Sequence, residues 1–270
     1  MKVAYQGTKA SFSEIAIDRF FDGDAVAIGK ETFEEVFESL EKREVELAAV
    51  PIENSLIGPI VENFDLFHQC QVTIFGELCM AVEHCLVGKK GQEIGQIKKV
   101  LSHPKALAQC MAFFREHLWI EPIVHFDTAG AVQEISRQPD PTLAAIGSRK
   151  TAEVYGLEVL KTHLEDNPSN TTRFLFLQKT VSQKLTEGKC SVLFTLPHAS
   201  GALSQVLQIL ADHRLNLTQI VSRPVREKPF EYLFFVDMLF SQDNNLESIL
   251  SEIAAKTILL KVLGVYAPST

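Results

Sequence analysis

The chain has 270 residues and a net charge of −8, from 26 basic and 34 acidic side chains. That length suits one large domain or two ordinary ones, and the acidic balance gives no support to nucleic-acid binding. With 46% hydrophobic and 22% charged residues and no apolar run of membrane-spanning length, the composition is that of an ordinary globular protein with no membrane role. Five cysteines (Cys70, Cys79, Cys85, Cys110, Cys190) without C-x-x-C spacing argue against disulfides and structural zinc, and suit a reducing cytoplasm. After Lys2 the chain turns polar in "VAYQGTKASFS", so no export leader is expected.

In chain order, "KVAY" reads as a short strand and "SFSEIAIDRFF" as a helix with capping-box spacing at Ser11 and Glu14. "TFEEVFESLEK" repeats that spacing at Thr32 and Glu35, with Phe33, Val36, Phe37 and Leu40 on one face. "LAAVPI" is a buried strand stopped by Pro51, and "HPKALAQCMAFFREHL" a single helix with Pro104 near its start. "LAAIGS" is another strand, and Ser148 caps a helix that stops at Gly156. This alternation predicts an α/β region.

Beyond Lys179 the polar "TVSQKLTEGK" reads as a linker, at 181–189. Strand 190–196, helix 201–213, strands 217–223 and 231–240, helix 246–256 and strand 258–265 then give the βαββαβ order of a ferredoxin-like domain.

Several polar clusters are candidates for chemistry. In "DNPSNTTRFLFLQK" a turn leads into a strand with Thr171, Arg173 and Leu175 on one face and Thr172 and Phe174 on the other. Arg173 there is either an edge-strand arginine paired with a carboxylate or a clamp for a ligand's carboxylate. "VPIENS" places Glu53, Asn54 and Ser55 at a strand's end, either as a helix cap or as a ligand-facing loop. Thr8, Ser11 and Phe12 flank a helix N-terminus that could meet an anion, with a plain turn the alternative. "SHPKALAQC" sets Ser102 and His103 at a helix start, with Gln109 in its second turn. No metal motif, Walker loop or G-x-S-x-G appears.

Together "GTKASFSEIA", "VPIENS", "SHPKALAQC", "DTAGA", "DNPSNTTRFL", "GALSQVL" and "SRP" resemble the prephenate dehydratase family followed by a regulatory ACT domain. The resemblance runs through nearly the whole chain. It implies a two-lobed catalytic region similar to periplasmic binding proteins over 1–180, with lobes of 1–78 plus 160–180 and 79–159, and a ferredoxin-like ACT domain over 190–270. No helical extension precedes "KVAYQG", so a fused chorismate mutase is not expected.

The implied reaction removes carbon dioxide and the ring hydroxyl from prephenate to give phenylpyruvate. Aromatisation drives it, so no cofactor or metal is implied. The resemblance puts Thr172 at the leaving hydroxyl, with Asn54, Ser102 and Gln109 orienting the substrate. Arg173 suits the retained carboxylate, because the one that leaves as carbon dioxide should not be clamped in its charged form. A buried Glu53 of raised pKa, or a bound water, would supply the proton. Thr8, Ser11, Phe12, Ser55, Thr128, Thr171 and Phe174 are expected to contact substrate. Yet neighbours 172 and 173 point to opposite faces of a regular strand, so both reach one ligand only if the strand is irregular there.

Feedback by L-phenylalanine is implied at Gly201, Ala202, Leu203, Asn216, Leu217, Ser222, Arg223 and Pro224, with homodimers or homotetramers formed through the ACT domains. Two positions depart from the family pattern. Ala10 stands where a second glycine is usual, and Val221 replaces the usual glutamate before Ser222. Rival readings are an arogenate dehydratase, whose substrate carries an amino group, and a two-lobed small-molecule sensor without chemistry.

Overall fold

The computed structural model describes residues 1–179, 185–225 and 231–269. The chain opens with β1 (Lys2–Gln6), α1 (Phe12–Phe20), β2 (Val26–Lys30), α2 (Phe33–Glu41), β3 (Leu47–Asn54), β4 (Gly58–Pro59), α3 (Val61–Gln69) and β5 (Thr73–Ala81). Both expected caps form: Ser11 accepts from the Glu14 N–H, and Thr32 accepts from the Glu35 N–H. A second lobe holds β6 (Cys85–Gly88), β7 (Lys99–Ser102), α4 (Pro104–Ala108), α5 (Met111–Glu116), β8 (Glu121–Val124), α6 (Thr128–Arg137), β9 (Leu143–Gly147), α7 (Arg149–Val154) and β10 (Glu158–Lys161). Its sheet runs β10-β6-β9-β7-β8.

The chain then returns as β11 (Thr171–Gln178), which inserts antiparallel between β3 and β5 to complete the order β2-β1-β3-β11-β5. The crossings between lobes lie at 82–84 and 162–170, a few residues from where the sequence puts them, because β5 belongs wholly to the first sheet and β10 to the second.

The last part holds β12 (Gly188–Thr195), α8 (Ala202–Asp212), β13 (Asn216–Pro224), β14 (Tyr232–Phe240), α9 (Leu246–Ala254) and β15 (Leu259–Tyr266). The sheet order β13-β14-β12-β15 with antiparallel neighbours is the ferredoxin-like arrangement. One face of this sheet packs on α8 and α9 through Val206, Leu210, Ile249 and Ile253. The other packs on the first lobe: Leu193, Leu233, Phe235 and Leu263 share one buried cluster with Ile52, Phe64, Phe67 and Leu175. The Phe64 and Phe235 rings meet edge to face at 4.8 Å. Where β15 crosses β5, a Cβ on Gly264 would stand 2.1 Å from the Ile74 carbonyl oxygen, so only glycine permits that approach.

Three expectations need correction. Pro51 does not stop β3, which continues to Asn54; the register shifts opposite it, between Arg173 and Phe174, and so absorbs the missing N–H. The helix expected across 104–118 is two helices, because the Asp166 carboxylate accepts from the Met111 and Ala112 N–H groups and caps a new start at α5. Gly188 and Lys189 belong to β12 rather than to a linker, and 181–184 lie outside the described residues.

Candidate active site

The cleft between the two lobes is walled by the ends of β1, β3, β5 and β11 on one side and by the starts of α4 and α6 on the other. Its lining includes Gly7, Ser11, Phe12, Asn54, His84, His103, Lys105, Gln109, Asp127, Thr128, Thr172 and Phe174 around a cavity of ≈ 220 Å³. A larger hollow of ≈ 480 Å³ between α1 and α7 is lined by charges of both signs, among them Glu14, Asp18, Arg19 and Arg149, and holds none of the β11 residues. Helix N-termini and uncharged donors converge on the first, the arrangement suited to an anionic ligand.

Thr172 and Asn54 are register partners on β11 and β3, and both side chains reach the cleft. The hydrogen-bond directions follow from the backbone. Asn54 Oδ1 accepts from the N–H groups of Leu56 (3.0 Å) and Ile57 (3.1 Å), so its Nδ2 must point the other way. That nitrogen donates to Thr172 Oγ1 at 2.9 Å and to Asn170 Oδ1 at 2.8 Å. Asn170 is oriented independently, because its Nδ2 donates to the Val82 carbonyl at 3.1 Å. Thr172 Oγ1 is thus an acceptor toward Asn54, which leaves its own proton to be donated into the cleft.

Gln109 joins this net through Asn170 and accepts from His84 Nε2 at 2.8 Å. Carrying its hydrogen on Nε2, His84 has a bare Nδ1 that is buried and without a partner among the described residues. Burial holds both His84 and His103 below the ordinary imidazole range, with Lys105 adding to the effect on His103. Both are therefore neutral walls near pH 7 rather than cations. Lys105 is the one lysine or arginine on the described lining. Asp127, the one carboxylate there, accepts from the Thr8 hydroxyl across the lobes at 2.8 Å and caps α6 through the Gly130 N–H.

The sequence-expected residues divide. Thr172, Asn54, Gln109, Ser11, Phe12, Thr128 and Phe174 come together on the cleft. Ser102 is fully buried, and its hydroxyl donates to the Ile146 carbonyl at 2.8 Å, so it braces the second sheet instead of facing substrate. Ser55 donates to the Ser169 carbonyl and accepts the Thr171 N–H, which clips the turn before β11; neither Ser55 nor Thr171 lines the cleft. Thr8 is committed to Asp127 as a latch between lobes.

The larger correction concerns the charged pair. Arg173 and Glu53 are also register partners, but on the opposite face of the strands, against the C-terminal sheet. Arg173 Nε donates to Glu77 at 2.6 Å, and Nη1 lies 2.5 Å from Asp237. Glu53 accepts from Gln219 at 2.8 Å. The alternation of a strand sends 172 and 173 apart, and the bulge comes one residue too late to bring them back. Arg173 is no carboxylate clamp, and Glu53 no proton source, in this geometry.

Among the effector candidates, Gly201 caps α8 at φ 81° and Ala202 and Leu203 begin it, while Asn216, Ser222 and Pro224 are exposed on β13. Leu217 is half-buried. Arg223 points inward to a paired contact with Asp65 of α3, both bonds 3.0 Å, so it fastens the C-terminal sheet to the first lobe. Val221 packs against the shared core on that same side, where a glutamate would have to bury its charge.

Sequence reasoning missed His84, Lys105, Asn170 and Asp127. Asn170 was legible only as a turn former, and a lone histidine after a strand gave no signal.

Residues 3–182 match the prephenate dehydratase family and residues 191–255 the ACT domain. The chain belongs to the prephenate dehydratase family. It is 36% identical over 271 residues to the prephenate dehydratase of Methanocaldococcus jannaschii, covering 98% of this chain and 97% of that one. It is also 36% identical over 285 residues to an arogenate dehydratase/prephenate dehydratase of Arabidopsis thaliana, covering 100% of this chain and 74% of that one. Among solved structures, a prephenate dehydratase from Arthrobacter aurescens in complex with L-Phe superposes with a TM-score of 0.90 at 27% identity, covering 99% of this chain and 90% of that one. GqqA, described as a novel type of quorum quenching acylase, also superposes at 0.90 with 29% identity, covering 100% of this chain and 98% of that one. The protein is an enzyme of this family with an ACT domain, and no helix among the described residues is long and apolar enough to cross a membrane.

Proposed function

We propose that the protein converts prephenate to phenylpyruvate and that L-phenylalanine regulates it through the C-terminal domain. The observation that carries the chemistry is the hydrogen-bond direction at Thr172, whose proton is left free on the cleft side. In the reaction the bond from the ring carbon to its carboxylate breaks, and that electron pair enters the ring. The C–OH bond breaks in turn, and the departing oxygen takes up one proton to leave as water alongside carbon dioxide. Thr172 donates a hydrogen bond to this oxygen as it gains charge, a contact worth most in the transition state. With Glu53 facing away, water in the cleft supplies the net proton.

Lys105 and the N-terminus of α1 then take the place of Arg173 in holding carboxylates, since the α6 start is already capped by Asp127. Phe12, Phe174 and neutral His84 supply apolar walls for the ring. This lining supports prephenate over arogenate. Lys105 repels an ammonium, and both oxygens of Asp127 are occupied by Thr8 and Gly130. On this reading residues 1–180 are catalytic and the ACT unit starts near Gly188. Effector contacts fall to Gly201, Ala202, Leu203, Asn216, Leu217, Ser222 and Pro224, and the ACT domains pair into a dimer or tetramer.

The test measures kcat/KM for prephenate and arogenate with purified protein, then repeats the prephenate assay and a sedimentation run with L-phenylalanine. A higher value for prephenate is expected. A higher value for arogenate assigns the rival substrate, and turnover of neither leaves a binding protein. If L-phenylalanine changes neither rate nor sedimentation, the regulatory half of the reading fails.

A further inference from the structure

All four strands of the C-terminal sheet contribute to one socket, and the group seated in it is Arg173. Its Nη1 is held by Gln219 of β13 (3.0 Å) and Asp237 of β14 (2.5 Å), and its Nη2 by the Tyr266 hydroxyl of β15 (3.0 Å). Ser191 of β12 hydrogen-bonds both Asp237 (2.5 Å) and Tyr266 (2.6 Å) and so orders the socket from below. The Nε of Arg173 is bound by Glu77 of β5, which also holds Lys189 of β12 at 2.7 and 2.9 Å. Arg173 is 8% exposed, Glu77 6% and Asp237 0%.

Charges buried to this degree cost several kcal/mol of desolvation each (roughly) unless fully paired, and replacing such clusters by apolar side chains is often stabilising. Docking of the two domains does not need them, since the aromatic cluster around Phe64 and Phe235 already holds the sheets together. What the guanidinium adds is direction. Gln219 grips both back-face residues at once, with its oxygen on Arg173 and its nitrogen on Glu53. Those two flank Thr172 and Asn54, the cleft's hydrogen-bonding pair, just before the register shift at Phe174.

We propose that Arg173 is a positioning residue, clamped through Gln219 and the socket, so that the C-terminal sheet sets the position of the Thr172 hydroxyl and forms a standing part of the active site. The proposal rests on the role assigned above to Thr172.

It is tested in the full-length protein with Arg173→Lys, Gln219→Ala and each of these combined with Thr172→Ala. Arg173→Lys is expected to lower kcat about 10- to 100-fold with KM within about twofold, as a small displacement of a reacting group does. Gln219→Ala, which removes no charge and keeps the proposal testable should Arg173→Lys fail to fold, is expected to lower kcat about threefold or more. In the Thr172→Ala background either change should cost less than about twofold, because the hydroxyl it positions is gone. A loss of general folding would instead multiply in both backgrounds. A rise in KM at constant kcat, or losses that multiply in the Thr172→Ala background, overturns the proposal. Normal turnover by Thr172→Ala alone defeats the underlying assignment instead, so the two failures are distinguishable.

Discussion

The strand pair β3 and β11 carries two faces built to opposite rules. On the cleft face Asn54 and Thr172 are uncharged, their orientation is dictated by backbone groups, and one hydroxyl proton is left over. On the back face Glu53 and Arg173 are charged, and the guanidinium is met on every side by protein. A site needs spare hydrogen-bonding capacity, and a joint needs none. Two pairs of adjacent motif positions therefore each serve two tasks, and adjacency in sequence says nothing about sharing a ligand. The electrostatics follow the same division. Burial pushes the Asp237 carboxyl up, opposed by Arg173, Ser191 and Lys189. For Glu77 burial also acts upward, but Arg173, Lys189 and the Ser269 N–H outweigh it and hold the carboxyl below the ordinary range.

The largest expected effect tests the cleft face. Thr172→Ala should lower kcat roughly 10²- to 10³-fold, the scale of losing one transition-state hydrogen-bond donor, with thermal unfolding little changed. If steady-state assays show KM moving while kcat holds, the two faces do not differ in the way described.

Glu77→Gln addresses the back face and should leave kcat less affected than stability, at a cost of about 3 kcal/mol at pH 7 by denaturant unfolding. Because the folded-state pKa of Glu77 is lowered, its contribution is present above the unfolded value of 4.5 and is lost as pH falls through the folded one. The gap between the wild type and this variant should therefore narrow below about pH 4.5. A gap that widens toward acid would mean that the carboxylate is not stabilised by its partners.

Lys105→Gln tests whether the cleft's own cation holds a substrate carboxylate. KM for prephenate should rise about tenfold with kcat nearly constant, as for loss of one charge-assisted hydrogen bond. An unchanged KM would leave the carboxylates to the α1 N-terminus alone.

The smallest effect lies in the loop before α1. Ala10 sits at φ 64°, a left-handed conformation that costs a residue with a Cβ roughly 1 kcal/mol. Ala10→Gly should raise stability by a few tenths up to about 1 kcal/mol, the relief being offset in part by the entropy of the unfolded glycine. A lower melting temperature would show that the loop is not strained.

Much of this was legible beforehand for physical reasons that act locally. Helix starts at Ser11, Thr32 and Ser148 follow from side chains that satisfy nearby N–H groups, and the βαββαβ order follows from the spacing of apolar residues. The break at Gln109 was not legible, because the carboxylate that caps α5 is Asp166, more than forty residues along the chain. Gln109, at that break, reaches Asn170 at 3.4 Å.

By itself the sequence determined most of the elements, the family and the candidacy of Thr172, Asn54 and Gln109 as cleft residues, since these depend on neighbours along the chain and on recurring motifs. It also determined that Thr172 and Arg173 face opposite ways, because a strand alternates. Which of the two faces would be open to a ligand was decided only by tertiary structure. The C-terminal sheet, joined in the chain well after β11, folds back and closes one face, and an arginine there finds protein acceptors where a ligand's carboxylate had been expected.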